Sequence, residues 1–269
     1  MIPAVSLPMY NLPEMRPANS RFWGALRGLL IEAGLRDVPQ ALNFERRPVP
    51  ERLEATMLFS QTCGYPLETV FKGQAVRLGT PVYTAPGCDG PTHRAFFVVP
   101  TTSPATRLGD LKGGVFLLNS PVSNSGMNLP RRALAEIAGG QPFFREVIET
   151  GGHPASLDRL LRGEGDVASI DCVTYAFWRH HRPADAARLR IIGETPPSPA
   201  IPFVTSIATP PATVAILRAA LRTLCTAPRY AEAREGLMLA GIDDLPDASY
   251  RGLLRYEREA AELGYPRLM

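Results

Sequence analysis

Long apolar runs are missing from this sequence of 269 residues. No stretch approaches the about 18 consecutive apolar residues that a membrane-spanning helix needs. The first ten residues carry no lysine or arginine, and Pro3 and Pro8 interrupt their apolar side chains, so they do not resemble a secretory signal peptide. The sequence therefore predicts no membrane insertion. A cytoplasmic location and a secreted chain that has lost its leader both stay open.

The chain also lacks a block of basic charge. Its net charge is only +3, and its lysines and arginines are scattered along the sequence. Nucleic acid is therefore not expected as a partner, because nucleic-acid-binding domains usually carry clustered basic residues. A mild positive bias does suit a small anion. The hydrophobic content of 45% with 20% charged residues is typical of a water-soluble globular protein.

Cysteine is scarce, with four residues in the whole chain. None of the four shows the spacing of a metal site, and the adjacent pair His180-His181 would point in different directions on a helix, so we predict no metal and no cofactor. Cys63 and Cys88 both lie in loops rich in glycine and proline. A disulfide between them is open, but buried free thiols are favoured.

What the sequence does contain is an alternation of strand and helix patterns joined by short connections. This order predicts an α/β fold, with largely parallel strands in two mixed sheets flanked by helices. Among the predicted elements are strands over residues 3–9 and 41–44, a helix capped by Asn19 or Ser20, a short helix over 50–55, and a helical pattern from Pro211 onward that includes residues 229–239.

Two extended segments predict a second domain inserted into the first. Residues 96–102 lead into the middle third of the chain, and the proline-rich residues 195–202 lead out of it. We therefore expect lobe 1 to comprise residues 1–98 plus 202–269, and lobe 2 to comprise residues 99–201. Two crossings of this kind would form a hinge with a cleft between the lobes.

The most informative stretch is Asn119-Ser120-Pro121-Val122-Ser123-Asn124-Ser125-Gly126-Met127-Asn128. It follows the apolar run Val115-Phe116-Leu117-Leu118 and precedes a helical pattern. A strand that opens directly into a helix leaves main-chain N–H groups without acceptors at the helix start, and these groups with nearby hydroxyls can receive an anion. The alternative is that Ser123 or Ser125 only caps the helix.

Two further strand patterns end in small polar residues. One ends in Ser60-Gln61-Thr62-Cys63-Gly64-Tyr65-Pro66, and the other in Thr150-Gly151-Gly152-His153. A single such end is usually just a turn. In open α/β sheets, however, ligands bind where the carboxyl ends of strands meet helix starts. Three such ends together favour an anion-binding site.

The order of these motifs resembles the phosphate/phosphonate-type substrate-binding proteins of ABC importers. The matching pieces are Leu7-Pro8-Met9-Tyr10, the segment that begins at Ser60, Ser123-Asn124-Ser125-Gly126, Thr150-Gly151-Gly152-His153, and Gly163 and Asp166 with Ser169-Ile170-Asp171. The resemblance covers nearly the whole chain. It implies a two-lobed type II periplasmic binding protein fold, capture of a small oxyanion by closure of the lobes, a periplasmic location and an ABC transporter permease as partner.

The resemblance also implies roles for individual residues. Ser123, Asn124, Ser125 and Gly126 match the family's Ser-Thr-Ser-Gly motif, which receives the phosphonate or phosphate oxygens at a helix start. Asparagine replaces threonine here, and its amide can still donate. Ser60, Gln61 and Thr62 would approach from the other lobe. Specificity would depend on Tyr10, Tyr65, His153 and Asp171. From the residues alone, each of these four could equally serve the core or a helix start.

One position departs from the family pattern. Relatives that bind aminoalkylphosphonates carry an acidic residue directly after the histidine of Gly-x-His, whereas this chain has Pro154. Recognition of an amino group by Asp171 is therefore in doubt, and inorganic phosphate or another small oxyanion gains support. We expect a binding protein and not an enzyme. The alternatives are a cytosolic ligand sensor or a biosynthetic enzyme on the same fold, with Cys63 or Cys172 as nucleophile and His153 as base.

Overall fold

Two five-stranded sheets organise two structural units in the computed structural model of this chain, which describes residues 3–269. Unit 1 comprises residues 3–92 and Pro199–Tyr250, and unit 2 comprises His93–Ser198 and Arg251–Met269. The expected lobe 1 began at residues 1 and 2, which lie outside the described residues. It also included everything after residue 202, whereas the structure groups the last 19 residues, Arg251–Met269, with unit 2.

The regular elements of the described residues have the following bounds. The strands are β1 Ala4–Val5, β2 Met57–Gln61, β3 Ala75–Tyr83, β4 Thr92–His93, β5 Ala95–Pro100, β6 Val115–Leu118, β7 Glu146–Glu149, β8 Val167–Asp171, β9 Leu189–Glu194, β10 Ser198–Pro199, β11 Phe203–Ser206 and β12 Leu239–Asp243. The α-helices are α1 Arg16–Glu32, α2 Gly64–Glu68, α3 Leu129–Ala138, α4 His153–Leu161, α5 Cys172–His181, α6 Pro183–Ala186, α7 Pro211–Thr226, α8 Ala231–Glu235, α9 Asp247–Arg251 and α10 Leu253–Glu262. Single 3-10 turns span Pro13–Met15, Leu108–Leu111 and Pro228–Tyr230, and a π-helical turn spans Asn124–Asn128.

The sheet of unit 1 has the strand order β1-β2-β11-β3-β12. Only β1 and β2 pair in parallel, and the other three pairings are antiparallel, so this sheet is mixed and not largely parallel. Aromatic rings from α1 and the sheet fill its core. Phe59 stacks on Trp23 at 5.8 Å and on Phe203 at 5.3 Å between ring centroids, and rings stacked in this way stabilise the core beyond the area that they bury.

The sheet of unit 2 has the strand order β7-β6-β8-β5-β9. Strands β7, β6 and β8 run in parallel, whereas β5 pairs antiparallel with both β8 and β9. Every residue of β6 and of β8 is buried, which agrees with the continuous apolar run in β6 and with a strand covered on both faces. The carboxyl ends of three neighbouring strands consequently meet at one edge of this sheet.

Helix α10 packs against α3 inside unit 2. Arg132 forms an ion pair with Glu259 at 2.6 Å, and the buried Arg131 donates to the main-chain carbonyl of Pro266 at 3.1 Å. The Asn128 amide donates to the carbonyl of Leu253, also at 3.1 Å. These contacts explain why the segment after residue 250 belongs to unit 2, although the sequence order suggested the other assignment.

Several local predictions for the first 60 residues were wrong. The strand predicted over residues 3–9 covers only Ala4–Val5, and residues 41–44 and 50–55 form turns and loops. Leu42 and Leu53 are nevertheless buried there without regular structure. Leu53, for example, packs with Met57 and Phe71 in a small cluster. Asn19 does not cap α1 but lies inside it, where its amide donates to the carbonyl of Tyr10 at 3.1 Å.

The helix predicted over residues 229–239 is shorter in the structure, where α8 covers Ala231–Glu235. Met238 adopts a φ of 50°, a conformation that ends a right-handed helix, and Leu239–Asp243 then pairs with β3. All four cysteines are free thiols, so no disulfide joins Cys63 and Cys88. No helix within residues 3–269 is both long enough and apolar enough to cross a membrane.

Candidate functional site

The eleven residues predicted from the sequence fall into two groups, one in each unit, and all eleven are buried. The group in unit 2 follows the three parallel strand ends. Residues 119–126 come after β6, Thr150 and His153 come after β7, and Asp171 ends β8. The group in unit 1 consists of Tyr10, Ser60, Gln61, Thr62 and Tyr65.

The segment after β6 enters its helix through a π-helical turn, Asn124–Asn128, that continues directly into α3. The N–H of Asn128 donates to the carbonyl of Ser123 at 3.0 Å, and the N–H of Leu129 donates to that of Asn124. Pro130 accounts for the wide turn, because it has no N–H and its ring would clash with the Gly126 carbonyl in a regular α-helix. The first N–H groups of this helix have no acceptor inside it.

The hydroxyl of Ser123 organises this helix start. Its oxygen accepts hydrogen bonds from the N–H of Gly126 at 3.0 Å and from the side-chain amide of Asn119 at 3.1 Å. The first of these is an N-cap interaction, so the capping alternative is real. Because the oxygen accepts both bonds, the hydroxyl proton stays available for an anionic acceptor, and capping and anion binding are compatible.

The neighbouring residues are held by a network of short polar contacts. The Asn124 amide donates to the Ser198 hydroxyl at 3.1 Å and accepts from the Asn128 amide at 3.2 Å. The Ser125 hydroxyl lies 2.8 Å from Nε2 of His153, and the Ser125 carbonyl accepts from the Ser169 hydroxyl at 2.7 Å. Residues from β6, β7 and β8 thus converge on Ser125, as expected from three parallel strand ends.

His153 is the first residue of α4, and the loop before it is tightly constrained. Gly151 has a φ of 88°, which favours glycine, and the Thr150 hydroxyl bonds the Ser156 hydroxyl at 2.7 Å. Burial, together with the positive charge of His93, lowers the pKa of His153 to about 4 against the opposing effect of Asp171. The imidazole beside Ser125 is therefore neutral at pH 7.

Asp171 forms a buried ion pair with a histidine that the sequence analysis missed. Its Oδ2 lies 2.7 Å from Nδ1 of His93, and its Oδ1 accepts the N–H of Thr174 at 2.8 Å as the N-cap of α5. Burial lowers the pKa of His93, but the Asp171 carboxylate outweighs it and raises that pKa. Burial likewise raises the pKa of Asp171, and His93 outweighs it and lowers that pKa. The Asp171 carboxylate is therefore charged at neutral pH, and its contact favours the protonated form of His93.

The residues of unit 1 form a separate polar cluster at the end of β2. The hydroxyls of Ser60 and Ser6 bond each other at 3.0 Å, and the Gln61 amide donates to the Tyr83 hydroxyl at 3.1 Å. Tyr83 meets the ring of Tyr10 edge-on at 5.5 Å. The Thr62 hydroxyl is buried without a hydrogen-bond partner among the described residues. Tyr65 is buried in the short helix α2.

Comparison with known proteins identifies the family. A family model described as ABC transporter, phosphonate, periplasmic substrate-binding protein matches residues 69–250, more than half of the chain. The chain belongs to this family. The resemblance inferred from the motifs is confirmed, since this is a family of ABC transporter substrate-binding proteins. A comparison with curated protein sequences finds no significant match.

Solved structures of similar shape support the fold of this phosphonate-family chain. A binding protein component of an ABC phosphonate transporter, PA3383 from Pseudomonas aeruginosa, matches with a TM-score of 0.73 at 14% identity, over 98% of this chain and 89% of that one. XAC2383 from Xanthomonas citri, bound to ATP, matches with a TM-score of 0.68 at 18% identity over 98% of both chains. PhnD1 from Prochlorococcus marinus, in complex with methylphosphonate, matches with a TM-score of 0.59 at 13% identity over 90% and 84%. The predicted α/β type II periplasmic binding protein fold is confirmed.

Proposed function

We propose that this chain captures a small tetrahedral oxyanion, a phosphonate or phosphate, for ABC-type import, and that the Ser123–Gly126 segment receives its oxygens. One observation carries the proposal. Ser123 sits at a buried helix start, and its hydroxyl accepts two hydrogen bonds and retains its own proton for donation. The adjacent first-turn N–H groups and the positive end of the helix dipole favour an anion at the same place.

The surrounding charges are compatible with an anion. His153 is neutral and contributes no negative charge, and the Asp171 carboxylate is balanced by His93. His153 faces the Ser125 hydroxyl and the Asn119 amide. As a neutral imidazole it can exchange hydrogen bonds with the same hydroxyl that would contact the ligand. These contacts support a binding role for His153 more than the role of a base for a thiol.

Ligands of the similar structures are consistent with this class. PhnD1 was solved with methylphosphonate and XAC2383 with ATP, and both ligands present phosphorus-bound oxygens. At 13% and 18% identity these proteins do not fix the ligand of this chain. They do define the panel that a screen should include.

The remaining parts of the proposal rest on the resemblance and on family membership. Ser60, Gln61, Thr62, Tyr10 and Tyr65 of unit 1 are proposed to complete ligand recognition, with closure of the two units on the ligand. The buried, unpartnered Thr62 hydroxyl is consistent with such a role. The periplasm as location and an ABC permease as partner follow from the family. Small-angle scattering should show a smaller radius of gyration with ligand if closure occurs.

A thermal-shift screen of the purified chain tests the function directly. The panel contains methylphosphonate, ethylphosphonate, 2-aminoethylphosphonate, phosphate, sulfate and ATP. A ligand at one hundred times its dissociation constant stabilises the native state by about 2.7 kcal/mol, which gives a clear shift in Tm. Stabilisation confined to phosphorus oxyanions is expected. No shift with any of them would contradict the proposed ligand class.

Two variants then locate the site. Replacing both Ser123 and Ser125 by alanine should lower oxyanion affinity by about a hundredfold or more, since each good charge-assisted hydrogen bond contributes about 1.5–3 kcal/mol. Ser123→Thr keeps the hydroxyl and should retain most of the affinity. Ser249→Ala, at a partly exposed position of α9, is the control. Unchanged affinity in the double variant would disprove the location.

A further inference from the structure

Both oxygens of the Asp171 carboxylate are already engaged by groups of the protein. One oxygen contacts the imidazole of His93 at 2.7 Å, and the other accepts the main-chain N–H of Thr174 at 2.8 Å. The side chains of Asp171 and His93 are each only 1% exposed. A buried carboxylate is costly unless it is paired, so His93 is the counter-ion that allows Asp171 to stay charged.

This ion pair lies close to the proposed anion seat. Asp171 and Ser169 are two residues apart on β8, so their side chains leave the same face of the strand about 6.6 Å apart. The Ser169 hydroxyl donates to the carbonyl of Ser125, which belongs to the seat. The electrostatic influence of both His93 and Asp171 also reaches His153, which contacts Ser125.

A buried carboxylate next to an anion seat can bind the cationic end of a short bifunctional ligand. In this chain, however, the His93 imidazolium already occupies the position beside the Asp171 carboxylate. A ligand ammonium would have to share the carboxylate with the His93 imidazolium, and two cations on one carboxylate repel each other. Conversely, the imidazolium offsets the repulsion that an unpaired carboxylate would exert on a bound oxyanion.

We propose that His93 is a resident counter-ion that makes this chain selective for oxyanions whose organic part carries no ammonium group. The inference rests on the proposed function, because it names the substrate class of the same seat. His93 acts through Asp171 and is therefore a positioning and specificity residue. Ethylphosphonate and 2-aminoethylphosphonate differ only in the ammonium group and are the matched probes.

Isothermal titration at pH 6, below the ordinary pKa of histidine and well above the pKa of His153, measures both dissociation constants for the unaltered chain, His93→Gln and His93→Lys. The unaltered chain should prefer ethylphosphonate by about tenfold or more. His93→Gln removes the cation, so affinity for ethylphosphonate should fall while affinity for 2-aminoethylphosphonate rises, which narrows or reverses the preference. His93→Lys retains a cation and should keep the preference. His180→Gln, at an exposed histidine of α5, is the control.

The outcomes separate this inference from the proposed function. If the unaltered chain binds neither phosphonate, the proposed function fails. If it binds 2-aminoethylphosphonate as tightly as ethylphosphonate or more tightly, the selectivity inference is overturned and the proposed function stands. An unchanged preference in His93→Gln also overturns it. Should that variant fail to fold, ¹⁵N NMR of the unaltered chain decides, since a neutral His93 imidazole at pH 6 would refute the counter-ion.

Discussion

The two units each contain a strand that ends in buried hydroxyl side chains, and the two ends use those hydroxyls differently. In unit 1, the Ser60 hydroxyl pairs with that of Ser6, so the two largely satisfy each other. In unit 2, the Ser123 hydroxyl accepts two bonds and keeps its proton. The short helix α2 follows the first end, whereas a π turn that continues into α3 follows the second.

Serine residues at similar places in a strand-to-helix pattern thus differ in their capacity to donate a hydrogen bond to a ligand. What distinguishes them is whether the polar atoms have acceptors and donors within the protein. A hydroxyl paired with another hydroxyl contributes mainly to stability. A hydroxyl that only accepts, next to unsatisfied N–H groups, is prepared for an external acceptor. The following experiments test this distinction, beginning with the largest expected effect.

The first experiment uses His153 of unit 2, because Ser60, Gln61 and Thr62 of unit 1 do not titrate between pH 4 and 7. His153 has a pKa of about 4 in the folded chain and an ordinary value of 6.5. Below pH 6.5 the unfolded chain binds a proton that the folded chain does not, so stability should fall as the pH drops toward 4. The full loss is about 3 kcal/mol.

The titration of the neighbouring His93 and Asp171 does not produce the same loss of stability between pH 7.5 and 4.5. The raised pKa of His93 contributes stability below pH 6.5 and loses it as the pH rises through the folded value. The lowered pKa of Asp171 contributes stability above pH 3.8, which is lost only when the pH falls further. Urea unfolding at pH 7.5 and 4.5 in phosphate-free buffer should show a smaller difference for His153→Gln. His180→Gln should retain the full difference. Equal differences in all three chains would contradict the assignment.

The second experiment compares one glycine from each unit. A Cβ placed on Gly126 would overlap the Asn119 side-chain amide, which itself holds Ser123, so Gly126→Ala should destabilise the chain by about 2 kcal/mol. Gly28, inside α1, has open space around the same position. Gly28→Ala should stabilise by about 0.5–1 kcal/mol, because alanine is the better helix former. Thermal or urea unfolding measures both, and a harmless Gly126→Ala would show that the seat is loosely packed.

The smallest effect concerns the hydroxyl pair of unit 1. Ser6→Ala and Ser60→Ala should each cost about 0.5–1.5 kcal/mol, because each removes the buried bond between the two hydroxyls, although the Ser60 hydroxyl still reaches the Gln61 carbonyl at 3.4 Å. The double variant should cost less than the sum, with a coupling energy of about 0.5–1.5 kcal/mol in urea unfolding. Oxyanion affinity should fall less in Ser60→Ala than in Ser123→Ala. Two results would contradict the distinction between the two units. One is additive destabilisation by Ser6→Ala and Ser60→Ala, and the other is a larger loss of oxyanion affinity in Ser60→Ala than in Ser123→Ala.

Sequence patterns were sufficient for features that depend on neighbouring residues. The α/β order and the helix start at Ser123 follow from local periodicity and from small polar residues after an apolar run. His153 was placed by its motif, and the structure puts it 2.8 Å from Ser125. The roles assigned to the eleven site residues remain predictions.

Features that depend on distant partners were missed. His93 reaches Asp171 because β5 and β8 pair with Ala95 opposite Asp171, and this register is not visible in either segment alone. Strand β12 was not predicted, since its partner β3 lies about 160 residues earlier. The π turn over Asn124–Asn128 depends on Pro130. Because proline has no N–H, its effect appears in the turn before it and not at position 130 itself.

The discontinuous course of the chain through the two units has a consequence for the order of folding. Unit 1 receives its last strand, β12, before unit 2 receives α10, although most of unit 2 is synthesised earlier. During synthesis, the face of α3 that packs against α10 therefore stays uncovered until α10 emerges. Domains generally fold as units as the chain appears, so unit 1 can complete its core first. Late emergence of Arg251–Met269 would delay the Asn128–Leu253 contact, and with it the complete form of the proposed anion seat, until after unit 1 is complete.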